Sequence, residues 1–237
     1  MSVTVQSVVD RAEFIFQDTS NIRWTTAELL LWLNDAQREI ALLKPDATAT
    51  NTTITLATGT KQTLPSGGNR LLKVVRNMSA ASSGTGKTAI RIVSRDALDT
   101  QEPNWHDPTV AGYSKHGTTV KNYMYSEEDP RTFYVYPGVA GNAYIELVYS
   151  ANPATVAINA NLGVPDVLAN AVLDYVLYRG YMKETETADQ QRATTHFQLF
   201  MTSVMGKTNI DSITSPNFTA GNASGLAPVT NMSGVQG

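Results

Sequence analysis

The segment from Arg23 to Ile40 constrains the fold of this chain more than any other. Thr25 is followed three residues later by Glu28, which is the spacing of a capping box, where each side chain satisfies a backbone amide left unpaired by the first helical turn. Apolar residues then recur at helical spacing along one face, namely Leu29, Leu33, Ala36, Ile40 and Leu43. Pro45 ends the pattern. The segment therefore predicts an amphipathic helix with one buried side.

Two other segments carry the same helical periodicity. A first helix is predicted to end near Gln17 or Asp18, and its apolar face consists of Val5, Val8, Val9, Ala12 and Phe16. A later helix is predicted to start at Pro165 and Asp166, because proline suits the first helical position and aspartate complements the helix dipole. Its buried stripe contains Leu168, Val172 and Tyr175.

A last helix is predicted to begin with a second capping box, Thr187 and Gln190, and to stop at Gly206. Its apolar face is Ala193, Phe197, Phe200 and Val204. Together the helices predict one bundle with a shared core, for which we expect Leu29, Leu33, Ile40, Leu168, Val172, Tyr175, Phe197 and Phe200.

Between these helices the periodicity changes from helical to alternating, which indicates strands. The predicted strands lie at 53–56, 71–75, 89–93, 119–125, 131–136 and 143–149. Ser126 to Pro130 is a plausible hairpin loop, and Arg95 to Asp99 fits one helical turn. In the run from Phe133 to Tyr136, Phe133 and Val135 share one face, and the two tyrosines share the other. The sequence thus predicts an α+β fold with a β-rich region at 49–160, inserted between helical segments at 1–48 and 161–206.

The last part of the chain, residues 207–237, has a different composition. Gly, Asn, Ser, Thr, Ala and Pro dominate, and such a segment cannot build a core of its own. Its single apolar residues include Ile210, Ile213, Phe218, Leu226 and Val229. We expect an extended low-complexity tail.

Composition excludes several classes of function. Cysteine is absent, so disulfide and thiolate chemistry are excluded. The start of the chain has no basic region followed by an apolar run, and no apolar stretch approaches membrane-spanning length, so neither a secretory signal nor a membrane span is expected. The net charge of −3 gives no basic patch for phosphates. Charged residues make up 16% of the chain, against roughly 25% in typical soluble domains, which suits subunits that pack against copies of themselves but also suits a plain β-rich domain.

Three patterns invite a chemical interpretation. Gly84 to Thr88 resembles the end of a phosphate-binding loop, but that loop needs Gly at position 81, where this chain has Ala81, and a helix after it, whereas Ala89 to Val93 is strand-like. Glu127, Glu128 and Asp129 could hold a hard cation, although a solvated acidic turn is the simpler interpretation. The three histidines are scattered without metal-ligand spacing. We therefore expect no cofactor, metal or catalytic site.

Two segments resemble the head-to-tail adaptor (connector) proteins of tailed bacteriophages. The first is Arg23 to Ala47, with its Arg-Trp-Thr step and the run Leu-Leu-Leu-Trp-Leu-Asn-Asp-Ala-Gln-Arg-Glu-Ile. The second is Pro165 to Gly206, where Ala-Val-Leu-Asp-Tyr-Val-Leu-Tyr-Arg-Gly-Tyr precedes a helix with regularly placed Ala and aromatic residues. Gly180 stands where the family usually has Ala. The strand region between the two segments is not diagnostic.

The resemblance implies a structural virion protein, assembled in the bacterial host cytoplasm and located in the neck. It implies a ring of about twelve copies that joins the portal protein to a tail nozzle or another tail protein, and it implies genomic DNA passing through without specific binding. It also implies portal binding through the tail, for which Ile210, Ile213, Phe218, Leu226 and Val229 are the candidates. The composition of the tail fits a disordered end with no role equally well. The alternatives are a small nucleotide-dependent enzyme that uses the Gly84 to Thr88 loop, and another structural component of a phage neck or tail.

Overall fold

The computed structural model describes residues 2–82, 84–110, 115–183 and 189–214, and for residues 207–214 the backbone alone. These residues form five helices: α1 Val5–Phe16, α2 Thr26–Leu43, α3 Arg95–Gln101, α4 Ala169–Lys183 and α5 Gln190–Thr214. They also form eight strands: β1 Ala49–Thr55, β2 Gly59–Thr63, β3 Gly68–Met78, β4 Gly86–Ala89, β5 Arg91–Ile92, β6 Asn122–Tyr125, β7 Thr132–Val139 and β8 Tyr144–Ala151. The predicted α+β fold is confirmed.

The helices α1, α2, α4 and α5 form a bundle with a single apolar core. The predicted capping box is present, because the Thr25 side chain accepts from the Glu28 amide while the Glu28 carboxylate accepts from the Thr25 amide. Helix α4 packs against each of the other three helices and is the centre of the bundle. The core includes the following buried side chains: Leu29, Leu33, Ile40, Leu168, Val172, Tyr175 and Phe200.

Phe197 departs from the position expected for it, since its side chain is 38% exposed. The row of α5 that faces α4 consists of Ala193, Phe200 and Val204, which are all fully buried. Phe197 lies to the side of that row, and its ring packs on Tyr178 at a centroid distance of 5.0 Å. The helical spacing had placed it on the buried face, but α5 has only one neighbouring helix over most of its length, so its buried stripe is narrow.

Helix α5 also begins and ends at residues other than the predicted ones. The Asp189 carboxylate accepts from the Arg192 amide and caps the helix start, while Thr187 lies outside the described residues. The helix continues through Gly206 to Thr214. A glycine inside a helix costs only about 1 kcal/mol, and the sequence has no proline until Pro216, which disfavours helix in the residue before it.

The β-rich region forms two four-stranded sheets, with strand orders β1-β8-β3-β4 and β2-β7-β6-β5. Their facing sides enclose a second core, which includes Leu147, Ile145, Val74, Phe133 and Val135. The predicted alternation in β7 is confirmed, because Tyr136 faces the opposite side and packs with Leu98, Trp105 and Met124, and Tyr134 packs at the edge of that cluster. Helix α3 thus covers the outer face of the second sheet.

Candidate functional site

The connection between the bundle and the sheets is held by two buried amide side chains of α2. Asn34 accepts from the Val156 amide at 2.8 Å and donates to the Val156 carbonyl at 3.2 Å. Gln37 accepts from the Gly163 amide through its side-chain oxygen. Because both side chains are buried, these hydrogen bonds fix the returning chain on the bundle.

The same returning segment pairs with the start of the chain. The Val5 amide donates to the Ala160 carbonyl at 2.9 Å, and the Leu162 amide donates to the Val3 carbonyl at 3.1 Å. Residues 152–163 are therefore held between α2 and the N-terminal segment. Apolar periodicity alone does not indicate a role for Asn34 and Gln37. Two amide side chains three residues apart beside an apolar helical face are the sequence signal that could have found them.

The turn between α1 and α2 is organised by Asp18. Its carboxylate accepts from the backbone amides of Ile22, Arg23 and Trp24 at 2.8 to 3.0 Å. The amide of Trp24 contributes most to lowering the pKa of Asp18 below its ordinary value, since hydrogen bonds to the charged form favour it. The turn is thereby held in the conformation that directs Trp24 into the bundle, where the indole is buried.

Trp24 and Glu28 join the start of α2 to the end of α4. The indole Nε1 of Trp24 donates to the Gly180 carbonyl at 3.3 Å. The Lys183 ammonium lies 2.6 Å from Glu28 Oε1, and this hydrogen bond is the main cause that lowers the pKa of the Glu28 carboxyl. Hydrogen bonds thus link the first family-like segment to the second at three residues of the first: Arg23, Trp24 and Glu28.

A groove of about 640 Å³ lies where α2 meets the first sheet. Its lining combines Arg38, Glu39 and Leu42 of α2 with Arg70 of β3 and Glu127 of the turn before β7. Arg70 and Glu127 form an ion pair at 3.2 Å. The groove is open to solvent, and Arg38 at its rim also forms an ion pair, with Asp35 at 3.0 Å.

The patterns that invited a chemical interpretation have structural roles. Gly86 to Ala89 is strand β4, so the Gly84 to Thr88 stretch belongs to a hairpin and lacks the helix that a phosphate-binding loop requires. Glu127 is paired with Arg70. Within the described ranges, no group of three or more His, Asp or Glu side chains could hold a metal ion.

The candidate portal-binding residues fall in two places. Ile210 and Ile213 belong to α5 and follow Gly206. Phe218, Leu226 and Val229 lie outside the residues that the structure describes. None of the helices in the described part of the chain is long and apolar enough to cross a membrane.

Comparison with known protein families identifies the family of this chain. The sequence profile of the SU10 adaptor protein family matches residues 3–220, which include both helical segments and all of the sheets. This match shows that the chain, a helical bundle with an inserted pair of sheets, is a structural protein of the bacteriophage head-to-tail adaptor class. The chain belongs to the SU10 adaptor protein family. No curated protein matches the sequence.

Membership in this family confirms the resemblance that the two helical segments carry. A phage adaptor acts in the neck of the virion, where it contacts portal and tail proteins. The match also covers the strand region, whose sequence patterns alone did not indicate a family.

Proposed function

We propose that this chain is the subunit of a ring of about twelve copies that joins the portal protein to a tail nozzle or another tail protein. The ring is assembled in the cytoplasm of the bacterial host and stays in the neck of the finished virion. The family match is the observation that carries this proposal, because it spans nearly the whole chain.

The structure supports a scaffold role over an enzymatic one. The buried polar groups of the bundle, Asn34 and Gln37, are used to hold the chain's own backbone. The family to which the chain belongs is a family of structural phage adaptors. In the proposal the chain acts by contact and shape, and no reaction is part of it.

The lumen of the ring lets genomic DNA pass without holding it. The net charge is −3, because the 21 Asp and Glu residues outnumber the 18 Lys and Arg residues that could contact phosphates. Such contacts release counterions and strengthen binding to any DNA sequence, which would slow passage of the genome. The acidic balance of the chain agrees with a conduit that DNA crosses without specific binding.

The tail attaches the ring to the portal. Helix α5 runs antiparallel to α4, with Phe200 beside Tyr175, so its residues after Gly206 extend past the start of α4 at Ala169. Residues 215–237 follow, with no charged side chain among them, and fully extended they span roughly 75 Å. In this proposal Ile210, Ile213, Phe218, Leu226 and Val229 occupy apolar pockets on the portal, while backbone amides pair with portal strands.

Deletion of the chain's gene from the phage tests this function. Without the chain, electron microscopy should find DNA-filled heads that lack tails, and supplying the chain in trans should restore tailed particles. Tails that attach normally in its absence would rule out the adaptor role. Particles that are blocked at a later step would favour another neck or tail component.

A further inference from the structure

The outer edge of β1 is open. Strand β1 pairs with β8 on one side along its whole length, from Ala49 with Ser150 to Thr55 with Tyr144. Among the residues that the structure describes, no strand or loop pairs with its other side. A row of backbone donors and acceptors is therefore available to a further strand.

The register identifies the residues that face outward. The Leu56 amide donates to the Ala143 carbonyl of the neighbouring chain segment at 2.9 Å, so the backbone groups of Leu56 point toward β8. Backbone groups alternate along an antiparallel strand. Ile54 and Thr52 therefore also point toward β8, whereas Thr53 and Thr55 point away from it.

This edge lacks the features that natural proteins use to block strand addition. Its sequence, Ala-Thr-Asn-Thr-Thr-Ile-Thr, contains no charge and no proline, and its pairing with β8 contains no bulge. It has seven residues, whereas the other edge strands β2, β4 and β5 have five, four and two. An open edge of this length is the kind that pairs with another chain.

The strand order of the first sheet indicates which strand of another copy could pair with β1. The pairs β1–β8, β8–β3 and β3–β4 are all antiparallel, so the two edge strands of this sheet, β1 and β4, run in opposite directions. When identical subunits are repeated side by side, β4 of one copy meets β1 of the next in antiparallel orientation. That junction forms a heterologous contact, the type that closes into rings.

We propose that the β1 edge of one copy pairs with the β4 edge of the next copy, so that the first sheets form a continuous band around the ring. This inference rests on the ring of the proposed function and names the surfaces that build it.

Charge at the two edges is compatible with this pairing. Lys87 in β4 is exposed and forms no ion pair among the described residues. Strand β1 has no charged side chain, so β4 meeting β1 avoids the like-charge contact that two β4 edges would make.

Proline at Thr53 tests the inference. Thr53→Pro removes an outward amide and leaves the bonds to β8 in place, since proline is tolerated on an edge strand when its nitrogen faces solvent. The matched variant Thr53→Val keeps the amide. We expect the proline variant to keep its thermal unfolding midpoint but to enter phage particles at least tenfold less than the valine variant. Equal incorporation of the two would overturn the inference.

Cross-linking tests the junction between β1 and β4 separately from the adaptor role of the chain. The chain has no cysteine, so in particles that carry Thr53→Cys with Lys87→Cys, disulfides between copies of this chain can form only at these two positions. We expect a ladder of multimers on a non-reducing gel, and none for Lys61→Cys with Lys87→Cys, because Lys61 is on the second sheet. Particles that contain normal amounts of the Thr53→Cys, Lys87→Cys chain without a ladder would overturn the sheet junction and leave the adaptor role intact. Absence of the wild-type chain from particles would overturn the adaptor role.

Discussion

The ring of Phe16 occupies the space in which a side chain at residue 180 would begin. A Cβ atom placed on Gly180 would lie 2.2 Å from Phe16 Cζ, far inside van der Waals contact. Phe16 is held there by stacking on Trp24, at a centroid distance of 4.4 Å, and by an edge contact with Tyr181. The absence of a side chain at Gly180 in α4 is therefore matched to an aromatic residue on α1.

Gly180→Ala should destabilise the protein, because the new methyl group displaces Phe16 from its contacts. Overpacking costs roughly 1–3 kcal/mol, which outweighs the gain of up to about 1 kcal/mol in helix propensity. Urea unfolding measures the change.

Gly206→Ala is the matched control, because no atom lies within 4 Å of the Cβ position at Gly206 in α5. It should be neutral or stabilising by up to about 1 kcal/mol. In the background of Phe16→Leu, the cost of Gly180→Ala should fall by at least half. A cost that stays the same in that background would show that the clash with Phe16 is not its cause.

Stability should fall at acidic pH through Asp18. Its pKa is lowered in the folded state from an ordinary value of 3.8, chiefly by the Trp24 amide, so the unfolded chain binds its proton more readily. The stabilisation is fully present above pH 3.8 and is lost as the pH falls through the lower folded value. Asp18→Asn should show a smaller loss of stability than the wild type between pH 5 and pH 3, measured as the urea midpoint. Parallel curves for the two proteins would contradict this role of Asp18.

Helix positions could be predicted well from the sequence, because capping and periodicity are local signals. The capping box at Thr25 is an example: two side chains three residues apart decide where α2 begins. Strand β2 could not be predicted, since Gly-Thr-Lys-Gln-Thr has no apolar alternation. Its place is fixed by Gln62, whose buried side chain bonds the Ala57 amide and carbonyl, and by pairing with the distant strand β7.

Features that depend on tertiary structure were harder to predict from the sequence. Phe197 has the spacing of a core residue, but whether it is buried depends on how many helices surround α5. The groove at Arg70 and Glu127 joins residues 57 positions apart. Strand periodicity does not indicate which strands lie at the sheet edges.

Asn34→Ala should loosen the segment that returns from the sheets to the bundle. The substitution leaves the Val156 amide and carbonyl without their side-chain partner, which costs about 1–3 kcal/mol. Hydrogen exchange should be faster at Val156 and its neighbours than in the wild type.

Arg38→Ala is the control for that variant, because Arg38 reaches the same segment only through an exposed bond to Thr155. It should change stability by no more than about 0.5 kcal/mol. If the two variants were equally stable, the buried amide would not be the anchor of this segment.

Removal of residues 215–237 should separate folding from attachment. A chain that ends at Thr214 keeps every described helix and strand, so its thermal unfolding midpoint should match that of the full chain. It should nevertheless fail to bind purified portal in a sedimentation assay. The full-length chain with Phe218, Leu226 and Val229 all replaced by alanine should fail in the same way. Normal portal binding by the shortened chain would assign attachment to another surface.

The mass of the complex between this chain and its portal tests the central claim most directly. The two purified proteins are mixed, and native mass spectrometry counts the adaptor chains on each portal ring. The account predicts one discrete complex with about twelve adaptor copies, together with a closed ring of adaptor density in electron cryomicroscopy. A portal that binds no adaptor, or binds a variable number of separate copies without a ring, would contradict it.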